Sequence, residues 1–118
     1  MWSVRLDSLS DIRRLSVSDR APDVAHNMDK IMPAVIDRLN DTHYKVVQAA
    51  LEILEILYAT FPSHAEAFLE KTLVRLFAKL GDAKEAVRQQ ASHTVDSLRD
   101  LYRVCAHFPL CYHLLLNM

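Results

Sequence analysis

Leu39-Asn40-Asp41-Thr42-His43-Tyr44-Lys45-Val46-Val47-Gln48-Ala49-Ala50 returns, 41 positions later, as Leu80-Gly81-Asp82-Ala83-Lys84-Glu85-Ala86-Val87-Arg88-Gln89-Gln90-Ala91. In both copies an Asp is followed by Val five residues on, Gln seven on and Ala nine on. The register extends outward: Leu57 matches Leu98, Val35 matches Leu76, and Arg38 matches Lys79. Each unit contains two stretches with apolar residues at helical spacing. A two-helix unit of this length cannot bury its apolar face alone and stacks on its neighbours, which is the physical signature of an α-solenoid. A plain bundle has no reason to repeat its turn and core positions at a fixed offset.

Five helices follow from the apolar periodicity, and a sixth is suggested. The first runs from Trp2 to about Ser16, with Trp2, Leu6, Leu9, Ile12 and Leu15 on one stripe. Ser16 to Pro22 reads as a loop. The second runs from about Asp23 to Asn40, with Ile31, Val35, Ile36 and Leu39 inward; Pro33 kinks it or marks a late start near Met28. Asp41 or Thr42 caps the third, which ends near Thr60 before Phe61-Pro62. Ser63-His64-Ala65-Glu66 reads as a capping box opening the fourth, which carries Phe68, Leu69, Leu73, Leu76, Phe77 and Leu80. Gly81 ends it in the left-handed conformation, and Asp82 to Glu85 opens a fifth helix reaching about Val104. The tail, 105–118, is apolar, broken by Pro109, and could begin an incomplete helix.

Composition excludes several classes. The 118 residues make one domain at most, with 51% hydrophobic and 25% charged residues and a formal net charge of −1. A single Gly leaves little for glycine-rich phosphate loops or tight hairpins. Near-neutral charge argues against a nucleic-acid partner held by bulk electrostatics. No stretch reaches the roughly 18 apolar residues of a membrane span. The first 20 residues hold no apolar run of the secretory kind. Two cysteines, both late in the chain, fit a reducing intracellular setting better than a disulfide scaffold.

The finer spacings narrow the solenoid type. Pro33 precedes Asp41 by eight residues, Val46 follows it by five, and Asp82 is followed by Val87 and then Arg88. This resembles the HEAT consensus: a Pro in the first helix, an Asp in the intra-repeat turn, then Val and a basic residue able to reach the Asp of a neighbouring repeat. Val74 stands where the later Pro would be, and Val47 where the earlier basic residue would be. About two and a half repeats fit the chain. Because antiparallel helices alternate, the turns near Asn40–Lys45 and Gly81–Glu85 emerge on one edge, about 10 Å apart, with Trp2 one period upstream. Trp2, His43 and Lys84 are thus expected to form a ladder along that edge.

Those edge residues carry a resemblance. Trp2-Ser3-Val4-Arg5-Leu6-Asp7-Ser8-Leu9 resembles the first intra-repeat turn of TOG domains, where Trp is followed three residues later by Arg and then a Leu-rich helix. The segments His43–Val47 and Arg75–Gln90, with the run Leu80-Gly81-Asp82-Ala83-Lys84, look like the CLASP branch of that family. The resemblance spans about residues 2 to 103. It implies a non-catalytic HEAT module, six repeats long in complete members, that binds αβ-tubulin or the microtubule through the turn edge. It also implies a cytoplasmic, cytoskeletal setting: plus ends, kinetochores and the spindle, where such proteins favour rescue and suppress catastrophe. Carried over residue by residue, Trp2 is the first anchor, Thr42, His43, Tyr44 and Lys45 form the second contact turn, and Ala83, Lys84 and Arg88 the third. In domain terms, 1–104 is a partial TOG domain and 105–118 its tail, within a longer multi-domain chain.

Other readings stay beside this one. A generic HEAT adaptor would instead take a peptide in its concave groove. Cys105-Ala106-His107 and Cys111-Tyr112-His113 offer four zinc-type ligands, but the spacing is tighter than metal sites use and the flanks are apolar, so buried thiols are expected and no metal or cofactor. His26, His64 and His93 show no nucleophile–base pattern, and Glu52 and Glu55 read as a solvated helix face.

Overall fold

The structure, a computed structural model, describes residues 2–104. The chain order is α1 (Trp2–Ser16), α2 (Ala21–His26), α3 (Met28–Asp37) with a 3-10 turn over Arg38–Asn40, α4 (Tyr44–Thr60), α5 (Pro62–Ala65), a 3-10 turn over Glu66–Phe68, α6 (Leu69–Lys79) and α7 (Glu85–Val104). No strand occurs among the described residues, and the fold is all-α with a repeated helical hairpin. Helices α1, α4 and α7 lie side by side in one layer, and α3 and α6 back them in a second. The Cys105–His113 tail lies outside the described residues.

The repeat seen in the sequence is a repeat of buried positions. Val46 and Val87, Ala50 and Ala91, Leu57 and Leu98, and Val35 and Leu76 are all buried. Met28 with Leu69 and Met32 with Leu73 extend the register into the second layer. The central helix α4 buries Val46, Val47, Ala50, Leu51, Ile53, Leu54, Leu57 and Tyr58, because α1 flanks it on one side, α7 on the other, and α3 lies behind it. Each large aliphatic side chain removed from water contributes about 1.5–3 kcal/mol, so most of the cohesion between units passes through this helix.

The turns repeat as faithfully as the core. The Asp41 N–H donates to the Arg38 carbonyl at 3.1 Å, and the Asp82 N–H to the Lys79 carbonyl at 3.2 Å. The Val47 N–H reaches the His43 carbonyl at 3.3 Å, and the Arg88 N–H the Lys84 carbonyl at 3.1 Å. The two turns therefore share these backbone hydrogen bonds, although the first follows a 3-10 turn and the second follows α6 directly.

Several local expectations are corrected. The second helix breaks at Asn27, whose backbone (φ −106°, ψ 17°) ends α2 and begins α3; Pro33 sits inside α3, so the late start at Met28 is the arrangement adopted. Ala21-Pro22 is not loop: a proline pre-sets the helical φ in a first turn, and α2 opens there. Leu15, expected inward, is exposed, while Ser16 is buried with its hydroxyl on the Ile12 carbonyl at 2.7 Å. The Ser63–Glu66 capping box does not form, because Pro62 starts α5 one residue earlier and neither side chain caps. Gly81 takes no left-handed conformation: α6 ends through Leu80 at φ −64°, ψ −23°, and a Cβ on Gly81 would meet only the Ala78 carbonyl oxygen at 3.9 Å.

Candidate functional site

The edge of the solenoid is built by two Asp-anchored turns. Asp41 Oδ1 accepts the His43 N–H at 2.9 Å, and 41 residues later Asp82 Oδ2 accepts the Lys84 N–H at 3.0 Å. Neither Asp caps the following helix directly, as the sequence suggested. His43 is the N-cap of α4: its backbone is extended (φ −100°, ψ 122°) and its Nδ1 accepts the Lys45 N–H at 3.2 Å. That bond fixes Nδ1 as the acceptor, so the neutral ring carries its proton on Nε2.

Asp41 is also the anchor between units. Its carboxylate, only 4% exposed, receives Arg5 of α1 through both Nε and Nη2, the latter at 3.1 Å, and Arg38 stands 3.6 Å away. The Arg5 hydrogen bonds lead in holding the Asp41 carboxyl below the usual carboxylate range; burial opposes them, and the His43 N–H and the two guanidinium charges add to them. A basic residue does reach the Asp of a neighbouring unit, but it is Arg5. Arg88 instead donates to the carbonyls of its own turn, Asp82 at 2.7 Å and Ala83 at 3.0 Å.

Upon this frame the side chains form a ladder. The Trp2 ring stacks on His43 with centroids 4.0 Å apart and planes 16° apart, and His43 continues to Tyr44 at 5.4 Å and 13°. Lys45 Nζ lies 5.6 Å from the Trp2 ring centre, and Lys84 Nζ lies 4.9 Å from that of Tyr44. Trp2, His43, Tyr44, Lys45 and Lys84 are therefore brought together into one aromatic row flanked by two ammonium groups. Trp2 is 37% exposed, and Thr42 and Ala83 lie exposed in the two turns. Arg88 is at the edge but turned toward the turn backbone. Such cation–π contacts contribute about 0.5–1 kcal/mol at exposed positions, so they set the rest position of each lysine without locking it.

A second polar cluster was not legible in the sequence. Glu55 is no simple surface carboxylate: its Oε1 accepts from Thr94 Oγ1 at 2.7 Å, His93 Nδ1 at 2.8 Å and Gln90 Nε2 at 3.1 Å, all from α7. Glu55, Gln90 and His93, with Arg13, Glu52 and Ile56, line a cleft of about 380 Å³ on the face of the α1–α4–α7 layer, and Thr94 is buried beneath it. The partners are 35 to 39 residues apart, so no local spacing rule pairs them. Among the described residues, no group of three His, Cys, Asp or Glu side chains is placed to hold a metal.

Fold and edge together define an α-helical repeat protein that displays an aromatic and basic ladder on the side bearing its intra-repeat turns. No family model matches the chain. No solved structure matches it. Among curated proteins, it is similar to a CLIP-associated protein of Arabidopsis thaliana, 35% identical over 89 residues. The matched stretch is 75% of this chain and 6% of that relative. What the chain resembles is one small segment of a CLIP-associated protein.

Proposed function

We propose that residues 1–104 form a partial TOG-type HEAT module of the CLASP kind, non-catalytic, that binds αβ-tubulin or the microtubule through its turn edge and acts at the cytoskeleton, at plus ends and on the spindle and kinetochore. The contact residues on this reading are Trp2, Thr42, His43, Tyr44, Lys45, Ala83, Lys84 and Arg88. The observation that carries it is the continuous row Trp2–His43–Tyr44 with Lys45 and Lys84 beside it, assembled from three successive units on one edge. An aromatic plate with flexible ammonium groups suits a partner that offers apolar surface beside carboxylates. The similarity to a CLIP-associated protein supports the same reading.

The groove reading is less favoured, because Glu55, the more buried of the two cleft carboxylates, is already taken up by three α7 donors. Gel filtration with tubulin tests the proposal. Trp2→Ala removes a half-exposed aromatic anchor and is expected to weaken co-migration by about 2 kcal/mol, roughly thirtyfold, with the far-UV circular dichroism unchanged. Full-strength binding by a Trp2→Ala, Lys84→Ala double variant contradicts it.

A further inference from the structure

We propose that Glu55 and His93 form a protonation-dependent staple that fastens α7 to α4, and so makes the grip of the third repeat on the second sensitive to pH near neutrality. The geometry gives one carboxylate oxygen three donors from the facing helix, at 2.7, 2.8 and 3.1 Å. Two of those donors, Thr94 and Gln90, are neutral at every relevant pH. The third titrates. A carboxylate only accepts, so His93 must present Nδ1–H to Glu55. In the imidazolium that bond joins opposite charges and is roughly twice as strong as a neutral one. Once the ring is neutral, the bond survives only in the Nδ1–H tautomer, and the half-buried carboxylate loses a counter-charge.

The surrounding charges do not replace it. On α1, Arg13 faces the same cleft but pairs with Glu52, 3.9 Å away. On α4, Glu52 adds negative charge. On α7, Asp96 does the same, and its own nearby cation, Arg99, stands 3.7 Å from it. The Glu55 hydrogen bond, then the Glu55 charge and more weakly Asp96, raise the His93 pKa above its ordinary value near 6.5, with desolvation opposing. The sign follows: the staple's contribution is complete below the unfolded-state pKa and is lost as pH rises through the higher folded-state value. His93 is 70% exposed, so protons exchange freely with water and salt screens the effect. The staple also bears on the edge, since the seat of α7 carries Lys84 to Tyr44.

Two readouts on the whole chain test the staple. An imidazole NMR titration from pH 5 to 9 is expected to show the His93 midpoint moving down in Glu55→Gln. Amide hydrogen-exchange protection factors, corrected for the intrinsic pH dependence of exchange, are expected to fall about two- to fivefold along α7 between pH 6 and 8.5 in the wild type. The same factors should stay flat in His93→Gln, which keeps Glu55 bonded to Thr94 and Gln90 and so guards against a variant that merely unfolds. An unmoved His93 midpoint in Glu55→Gln, or an undiminished pH dependence in His93→Gln, overturns the proposal.

Discussion

Breaking the Arg5–Asp41 pair is the perturbation whose consequence the structure defines most closely. The Asp41 side chain is 4% exposed, whereas those of Arg5 and Arg38 are 31% and 41% exposed, so the two sides of the pair respond differently to loss of the other. Removing one partner of a fully buried pair costs about 3–5 kcal/mol, because a charge is left without compensation. Here Arg5→Met leaves Asp41 with Arg38 at 3.6 Å and the His43 N–H at 2.9 Å, which offset part of that. The expected loss is about 2 kcal/mol. Asp41→Asn keeps an acceptor for the His43 N–H and frees two arginines that water can reach, so about 1–2 kcal/mol is expected. In a double-mutant cycle by urea unfolding, the coupling should be about 1–2 kcal/mol with unchanged m values. The pH dependence has a fixed sign. Because the Asp41 carboxyl is held below 3.8 in the folded chain, its contribution is complete above the unfolded-state pKa and disappears as pH falls through the folded value. The gap between wild type and Asp41→Asn should therefore be steady from pH 7 to 5 and close below about pH 4. A coupling under about 0.5 kcal/mol, or a gap unchanged at pH 3, would refute the assignment of Asp41 as the anchor between the first and second units.

Gly81→Ala is expected to stabilise the chain by about 0.4–1 kcal/mol, since Gly81 has no positive φ and an added Cβ meets nothing closer than 3.9 Å; a lower urea midpoint would contradict that. Ser63→Ala should change stability by less than about 0.5 kcal/mol, not the ~1 kcal/mol of a working N-cap, because Phe61 occupies that position and Ser63 makes no cap bond; differential scanning calorimetry separates the two. Ala91→Leu should cost at least about 1–3 kcal/mol by overpacking a position with no exposed surface in the long α7 helix, read as a drop in melting temperature.

The repeat was readable because it records the same physical demand twice: Val46 and Val87, or Ala50 and Ala91, fill equivalent buried positions, and Asp41 and Asp82 close equivalent turns. The ladder of Trp2, His43 and Lys84 followed from that register. The neighbours that complete it, Tyr44 and Lys45, were adjacent to it in the chain. What the register could not supply was which local signal wins at a helix end. Pro62 displaced the Ser63 box by fixing a helical φ one residue earlier, and Leu80 closed α6 before Gly81 was needed. Pairings between units were the hardest to read. Arg5 with Asp41, and Glu55 with His93, Gln90 and Thr94, depend on how adjacent helices are rotated, and no i, i+3 or i, i+4 pattern encodes that. Glu55 looked like solvated surface for this reason.

On the proposed function, the edge, not the cleft, meets the partner. A hydrogen-exchange footprint of the chain with and without αβ-tubulin separates the two surfaces. Slowed exchange is expected in the turns and first helical positions around residues 42–46 and 83–88. Slowed exchange confined to the cleft face around Glu52–Ile56 and Gln90–His93, or none anywhere at saturating tubulin, would contradict it.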